Sequence, residues 1–152
     1  MINVGTVCQR LVHTVTKSDD LVHAAQLMRA KHIGYLVVTE PSVADGSMKP
    51  IGVLTDRDIV ISVVAKSVEP TALSVGDVMT SPAITARETD NLDHAVQEMR
   101  RLGVRRLPVV GAMGQLVGVM ALDDVLEVLA GELQSLSGAL RTERAVESAL
   151  RP

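Results

Sequence analysis

The sequence predicts an α+β fold made of two tandem β-α-β-β-α repeats packed about a pseudo-two-fold axis. Self-similarity is the first observation. A shift of 71 residues lays Asp19–Arg29 over Asp90–Arg100, and after a longer loop in the first copy a shift of 66 lays Ile51–Val60 over Val117–Leu126. The second observation is a helical stripe in each copy. Leu21, Ala24, Ala25 and Met28 recur at i, i+3, i+4 and i+7, as do Leu92, Ala95, Val96 and Met99. The third is a pair of short runs rich in β-branched residues after each stripe, which read as strands.

Along the chain, a lead-in with Val4, Gly5 and Val7 matches Val75, Gly76 and Val78. The first strand, around Thr14, Val15 and Thr16, matches Thr85, Ala86 and Arg87. Ser18 and Thr89 stand where helix N-caps belong. Leu36–Thr39 and Ile51–Leu54 then form an antiparallel hairpin around a loop holding Pro41, Gly46 and Pro50, and its counterpart turns tightly at Gly111 and Gly114. A second helix begins near Thr55 in one copy and near Asp123 in the other. The repeats thus occupy 4–65 and 75–130, with a linker at 66–74 and a helical tail at 131–152. Neither copy has enough apolar faces to close a core alone, so the two should pack together with clefts between them.

Composition narrows the function. The 152 residues are 47% hydrophobic and 22% charged, enough for a buried core without disulfides or metal, and the net charge is −3. Tyr35 is the only aromatic side chain. Single-strand nucleic-acid binding by stacking needs more rings, and non-specific DNA binding needs a basic footprint, so nucleic acid is not expected as a direct partner. No apolar run approaches the ~20 residues that span a bilayer, and the N-terminus has no leader pattern. With one cysteine, Cys8, there is no intrachain bridge, and a reduced, cytoplasmic location is expected.

The repeated order of a lead-in VGDVMTSP (Val75–Pro82), a helix, a hydrophobic RRLPVV (Arg105–Val110) and an element GVLTDRD (Gly52–Asp58) resembles the CBS domain family, specifically a stand-alone CBS pair or Bateman module. The resemblance covers residues 4 to about 130. It implies a regulatory module without catalysis of its own and with no required cofactor. It also implies that clefts between the repeats bind AMP, ADP, ATP, NAD or S-adenosylmethionine, and that an unidentified partner protein is regulated. The alternative is a structural dimerisation module whose clefts are vestigial.

A carboxylate accepts two hydroxyl protons at once, so Asp58 suits the vicinal diol of ribose, with Thr55 donating to a ribose or phosphate oxygen. Thr-x-x-Asp at a helix start also spells a capping box, and spacing alone leaves both readings open. The second copy keeps Asp124 but has Ala121 in place of the threonine. The clefts should therefore be unequal, with the Asp58 side the better adenosine site unless a backbone amide replaces the lost hydroxyl. The resemblance puts Arg105 and Arg106 at the centre. Neighbours on a strand face opposite ways, so Arg106 is expected beside the ligand of Asp58 and Arg105 beside Asp124; two solvated arginines are the plainer reading. Gly34 and Tyr35 occupy the matching positions of the first copy, where Tyr35 offers a ring or hydroxyl to the second cleft. Arg57 reaches a phosphate or pairs with its flanking aspartates. Backbone amides at Thr14, Val15, Thr16 and Thr85 are expected to read the adenine. These phosphate partners make S-adenosylmethionine the less favoured ligand.

The four histidines show no metal-ligand spacing, so no metal is expected. Asp56 with Asp58, and Asp123 with Asp124, lie one or two apart on a helix and do not face each other, so no paired acid/base site is expected and the chain does not read as an enzyme. Finally, Leu122, Leu126, Leu129, Leu133, Leu136 and Leu140 recur at spacings of 4, 3, 4, 3 and 4. Gly131 and Gly138 each cost about 1 kcal/mol relative to Ala in a helix, so a break at Gly131 competes with a continuous helix. A homodimer through the final helices of both repeats, aided by Leu129, Leu133 and Leu136, is expected.

Overall fold

A computed structural model describes residues 2–150. The first repeat runs through a one-turn helix α1 (Val4–Val7), strand β1 (Thr14–Val15), helix α2 (Leu21–Lys31) and the hairpin β2 (Tyr35–Pro41) and β3 (Met48–Thr55). Helix α3 (Asp56–Ile59) follows and widens to π geometry over Val60–Val64. The second repeat runs through α4 (Val75–Val78), β4 (Ala86–Arg87), α5 (Leu92–Leu102), β5 (Arg106–Val110), β6 (Leu116–Ala121) and α6 (Leu122–Leu150). Each repeat holds one three-stranded sheet, ordered β1-β2-β3 or β4-β5-β6, with its first pair parallel and its hairpin antiparallel.

The packing units are not the sequence repeats. One core joins Val4, Val7 and Cys8 of the first lead-in to Leu92, Met99, Leu107 and Met120 of the second repeat. The other joins Val75 to Leu21, Met28, Leu36 and Leu54 of the first. Each lead-in helix therefore crosses over and completes its neighbour's core. The crossings come in matched pairs. Gln9 bridges to Val119 as Thr80 does to Val53, and Asn3 bridges to Asn91 as Ser74 does to Asp20. That reciprocity is the pseudo-two-fold axis expressed in hydrogen bonds. It also explains one repeated residue: a Cβ on Gly52 would stand 2.9 Å from the Thr80 carbonyl, and one on Gly118 would stand 2.8 Å from that of Gln9. Only glycine lets the crossing chain come so near.

One expectation is corrected and one open alternative is settled. Ser18 and Thr89 are not the helix caps; α2 is preceded by Asp20 and α5 by Asn91, whose side chain accepts from the Asp93 amide at 2.8 Å. Ser18 and Thr89 instead lie in turns closed by Asp19 and Asp90, which accept from the Thr16 and Arg87 amides at 2.8 Å each. The first amide of each helix donates to a carbonyl from the opposite repeat's lead-in, Leu21 to Leu73 and Leu92 to Ile2, so a local side-chain cap has less to do. The open alternative is at Gly131, where α6 continues without a break. The Ser135 and Thr142 hydroxyls donate to the carbonyls of Gly131 and Gly138 at 3.0 and 3.1 Å, within an unbroken helix.

Candidate functional site

Between the repeats lies a cavity of about 340 Å³. One wall is the stretch leading from α1 to β1, lined by Gln9, Leu11, Val12 and His13; a second is the turn from α2 into β2, with His32, Ile33, Gly34 and Tyr35. The second repeat closes it with Arg106, Val119, Ala121, Asp123 and Asp124. The lead-in is there because of the crossing. Gln9 exchanges two backbone hydrogen bonds with Val119 at 2.9 Å, which carries the next four residues across the mouth of the second sheet.

The polar groups converge on few atoms. Asp124 accepts from the Gln9 side-chain Nε2 at 3.1 Å, which orients its carboxylate. The Arg106 guanidinium stands 5.9 Å from the centroid of the Tyr35 ring, a cation–π distance. The Tyr35 hydroxyl is buried and has no hydrogen-bond partner. Burial raises the Tyr35 pKa above the ordinary tyrosine value, with nearby Arg106 opposing, so the group stays protonated and able to donate. A buried hydroxyl without a partner is uncommon, because it forfeits the hydrogen bond it would have made in water. Apolar side chains of Leu11, Val12, Ile33 and Val119 complete the lining.

The predicted residues divide. Gly34, Tyr35, Arg106, Ala121 and Asp124 come together around this cavity. Arg106 thus stands with Asp124, not with Asp58 as expected, because its backbone pairs with Ala121 at the end of its own sheet. Arg105, expected beside Asp124, points outward and pairs with Asp123 at 3.3 Å, with both side chains mostly exposed. Thr55 and Asp58 form the capping box: Asp58 accepts from the Thr55 amide at 2.9 Å, and the Thr55 hydroxyl accepts from the Asp58 amide at 3.1 Å. Neither they nor Arg57, which is exposed, line this cavity.

The residues expected to read adenine lie outside the lining of this cavity. Val15 is in the core of the first repeat, the Thr16 amide is spent on Asp19, and Thr14 is exposed on β1 outside the cavity lining. Thr85 lines a different, open groove with Arg87, Glu88, Thr89 and Asp90. In their place Gln9, Leu11, Val12 and His13, with Ile33 and Val119, line the cavity. Their positions follow from the swapped lead-in, which no periodicity within one repeat reveals. Among the described residues no cluster of metal-ligating side chains occurs, and no helix is long and apolar enough to cross a membrane.

A family model described as the CBS domain matches residues 4–65 and 75–131. An uncharacterized protein of Methanopyrus kandleri is 35% identical over 127 residues, 84% of this chain and 62% of the relative, so the chain spans under two thirds of that protein. A CBS-domain protein of Burkholderia ambifaria matches the structure with TM-score 0.73 at 26% identity, over 84% of this chain and 93% of its own. A CBS domain pair solved with 5′-methylthioadenosine and S-adenosyl-L-methionine shares the fold at TM-score 0.73 and 21% identity, over 87% of this chain and 98% of its own.

Proposed function

The chain belongs to the CBS domain family, and from that premise we propose that it is a non-catalytic regulatory module. It binds an adenosine-containing ligand, AMP, ADP, ATP or NAD, in the cleft beside Asp124, and ligand occupancy is passed to a partner protein. The observation that carries this reading is the meeting of Asp124, Arg106 and Tyr35 around one cavity between the repeats. Asp124 takes the ribose diol and Arg106 the phosphate, with the Tyr35 ring beside the Arg106 guanidinium. S-adenosylmethionine ranks behind the nucleotides because it offers Arg106 no phosphate. A fold neighbour holding adenosine ligands supports the capacity of the architecture and nothing finer. The protein works as a homodimer in the cytoplasm, joined through the final helices of both repeats, where Val60, Ile61 and Val64 and also Leu126 and Leu129 stand exposed.

The second reading, a dimerisation module with vestigial clefts, is favoured by the way Thr55 and Asp58 satisfy each other and by Ala121. A thermal-shift panel with AMP, ADP, ATP, NAD and S-adenosylmethionine separates the two. Ligand at a hundred times its dissociation constant adds about 2.7 kcal/mol of stability. A shift that Asp124→Ala removes supports the sensor; no shift with any compound rejects it.

A further inference from the structure

Two histidines stand on the wall of the cavity between the repeats. His13 comes from the lead-in and His32 from the turn after α2, and both share the lining with Arg106 of β5. Neither imidazole has a hydrogen-bond or ion-pair partner among the described residues. Both also lie outside the repeated framework. The shift of 71 residues matches His23 to His94, but it sets Ile84 against His13 and Gly103 against His32. A side chain that the other copy replaces with isoleucine or glycine is not one the repeat needs in order to fold.

His32 carries a second mark. It holds φ 54° and ψ 43° at the end of α2, in the left-handed region, where its counterpart Gly103 holds φ 67° and ψ 28° at the end of α5. Glycine enters that region freely and a residue with a Cβ does not. The first repeat thus bears a local cost that puts an imidazole on the cavity wall.

The charge balance gives the two imidazoles a task. Arg106 is the single Lys or Arg among the described lining residues, which also include Asp123 and Asp124 of α6. Asp123 pairs with Arg105 at 3.3 Å, and Asp124 accepts only from the neutral Gln9 side chain, so one cation stands against one uncompensated carboxylate. Outside the lining, Arg29 and Lys31 lie in the last turn of α2 before His32, and the Asp56 carboxylate lies against Gly34. A diphosphate brings more negative charge than this balance neutralises. We propose that His13 and His32 are specificity-determining residues of the cleft. Protonated, they donate to ligand phosphates beside Arg106, so affinity for phosphorylated ligands rises as the solution is made acidic and affinity for adenosine does not. This rests on the ligand reading above and adds its pH dependence. The sign follows from the groups present. Histidine is the side-chain type that gains positive charge between about pH 8 and about pH 5.5, while carboxylates and guanidinium groups hold theirs. Tyr35 stays neutral throughout, because burial raises its pKa.

Calorimetry of the full chain with NAD, ATP and adenosine at about pH 5.5 and about pH 8 tests this. NAD is the main probe, because its diphosphate carries no titrating proton in that range. The parent should bind NAD about tenfold more tightly at the lower pH, and adenosine equally at both to within about twofold. In the double variant His13→Gln with His32→Asn the gain for NAD should shrink to under about twofold. Asparagine tolerates the left-handed backbone, and an unchanged circular dichroism spectrum checks that the fold is kept. ATP has a terminal phosphate that titrates by itself, so it is read as the ratio of parent to double variant, in which the ligand's protons cancel. That ratio should change about tenfold between the two pH values. Where only one of the two nucleotides binds, that one decides. No gain for the parent, or a gain that the double variant keeps, overturns the role of the histidines and leaves the ligand reading standing. An equal gain for adenosine overturns the phosphate assignment. No binding of any of the three compounds at either pH overturns the ligand reading and this proposal with it.

Discussion

Tyr35 concentrates the chemistry of the cleft in one side chain. Its hydroxyl is buried without a partner, so Tyr35→Phe should leave the unliganded protein as stable or stabilise it by up to about 1 kcal/mol in urea denaturation. Burial also raises its pKa, which fixes the sign of a pH effect. The unfolded chain releases the phenolic proton first, so stability present below the ordinary tyrosine pKa of about 10 is lost as pH rises above it. Alkaline denaturation followed by tyrosinate absorbance reports this residue alone, since it is the only tyrosine; the same loss in Tyr35→Phe would assign it elsewhere. Arg106 stacks on that ring at 5.9 Å, and Arg106→Ala should weaken ATP and ADP by roughly 1.5–3 kcal/mol but adenosine much less. Equal losses for all three in calorimetry would remove its phosphate role. The motif logic found both residues, but the partner of Arg106 was not legible, because strand alternation says which face a side chain takes and not which neighbour fills it.

Among the elements, the short helix α3 depends on its capping box more than on its length. Thr55→Ala should cost about 1 kcal/mol in urea denaturation, and Ala121→Thr, supplying the matching hydroxyl at the start of α6, should recover part of such a term. No change for Thr55→Ala would mean that the box is ornamental to folding. In the free part of α6, Gly138 meets nothing, so Gly138→Ala should raise helicity and stabilise the tail by about 1 kcal/mol, seen as increased circular dichroism amplitude. The helices and hairpins were legible as elements because their apolar periodicities are strong and occur twice. The caps were not, since Ser18 and Thr89 are good cap types in a place where carbonyls from the other repeat already serve the helix amides.

The whole molecule is an exchange of lead-in helices, and its cooperativity follows from that. Val4 is fully buried in the core built mainly from the second repeat, so Val4→Ala should destabilise the molecule by about 2 kcal/mol through a residue outside that repeat's own sequence. Unfolding should remain one transition, with fluorescent labels on either repeat reporting the same midpoint. Two separated transitions would show that the repeats are independent and that the crossing is not structural.

The sequence by itself determined the repeat, the α+β order and the family resemblance, because these rest on spacing, which one chain carries without reference to its folded neighbours. It also placed Gly34, Tyr35, Arg106, Ala121 and Asp124 among the candidates. Only the tertiary structure decided that Arg106 stands with Asp124, that Thr55 and Asp58 cap α3, and that Gln9–His13 form a wall of the cleft. The physical reason is the same in each case. Backbone hydrogen bonds between Gln9 and Val119 carry the lead-in onto the opposite sheet, and a pairing across more than a hundred residues leaves no period for a local reading to detect.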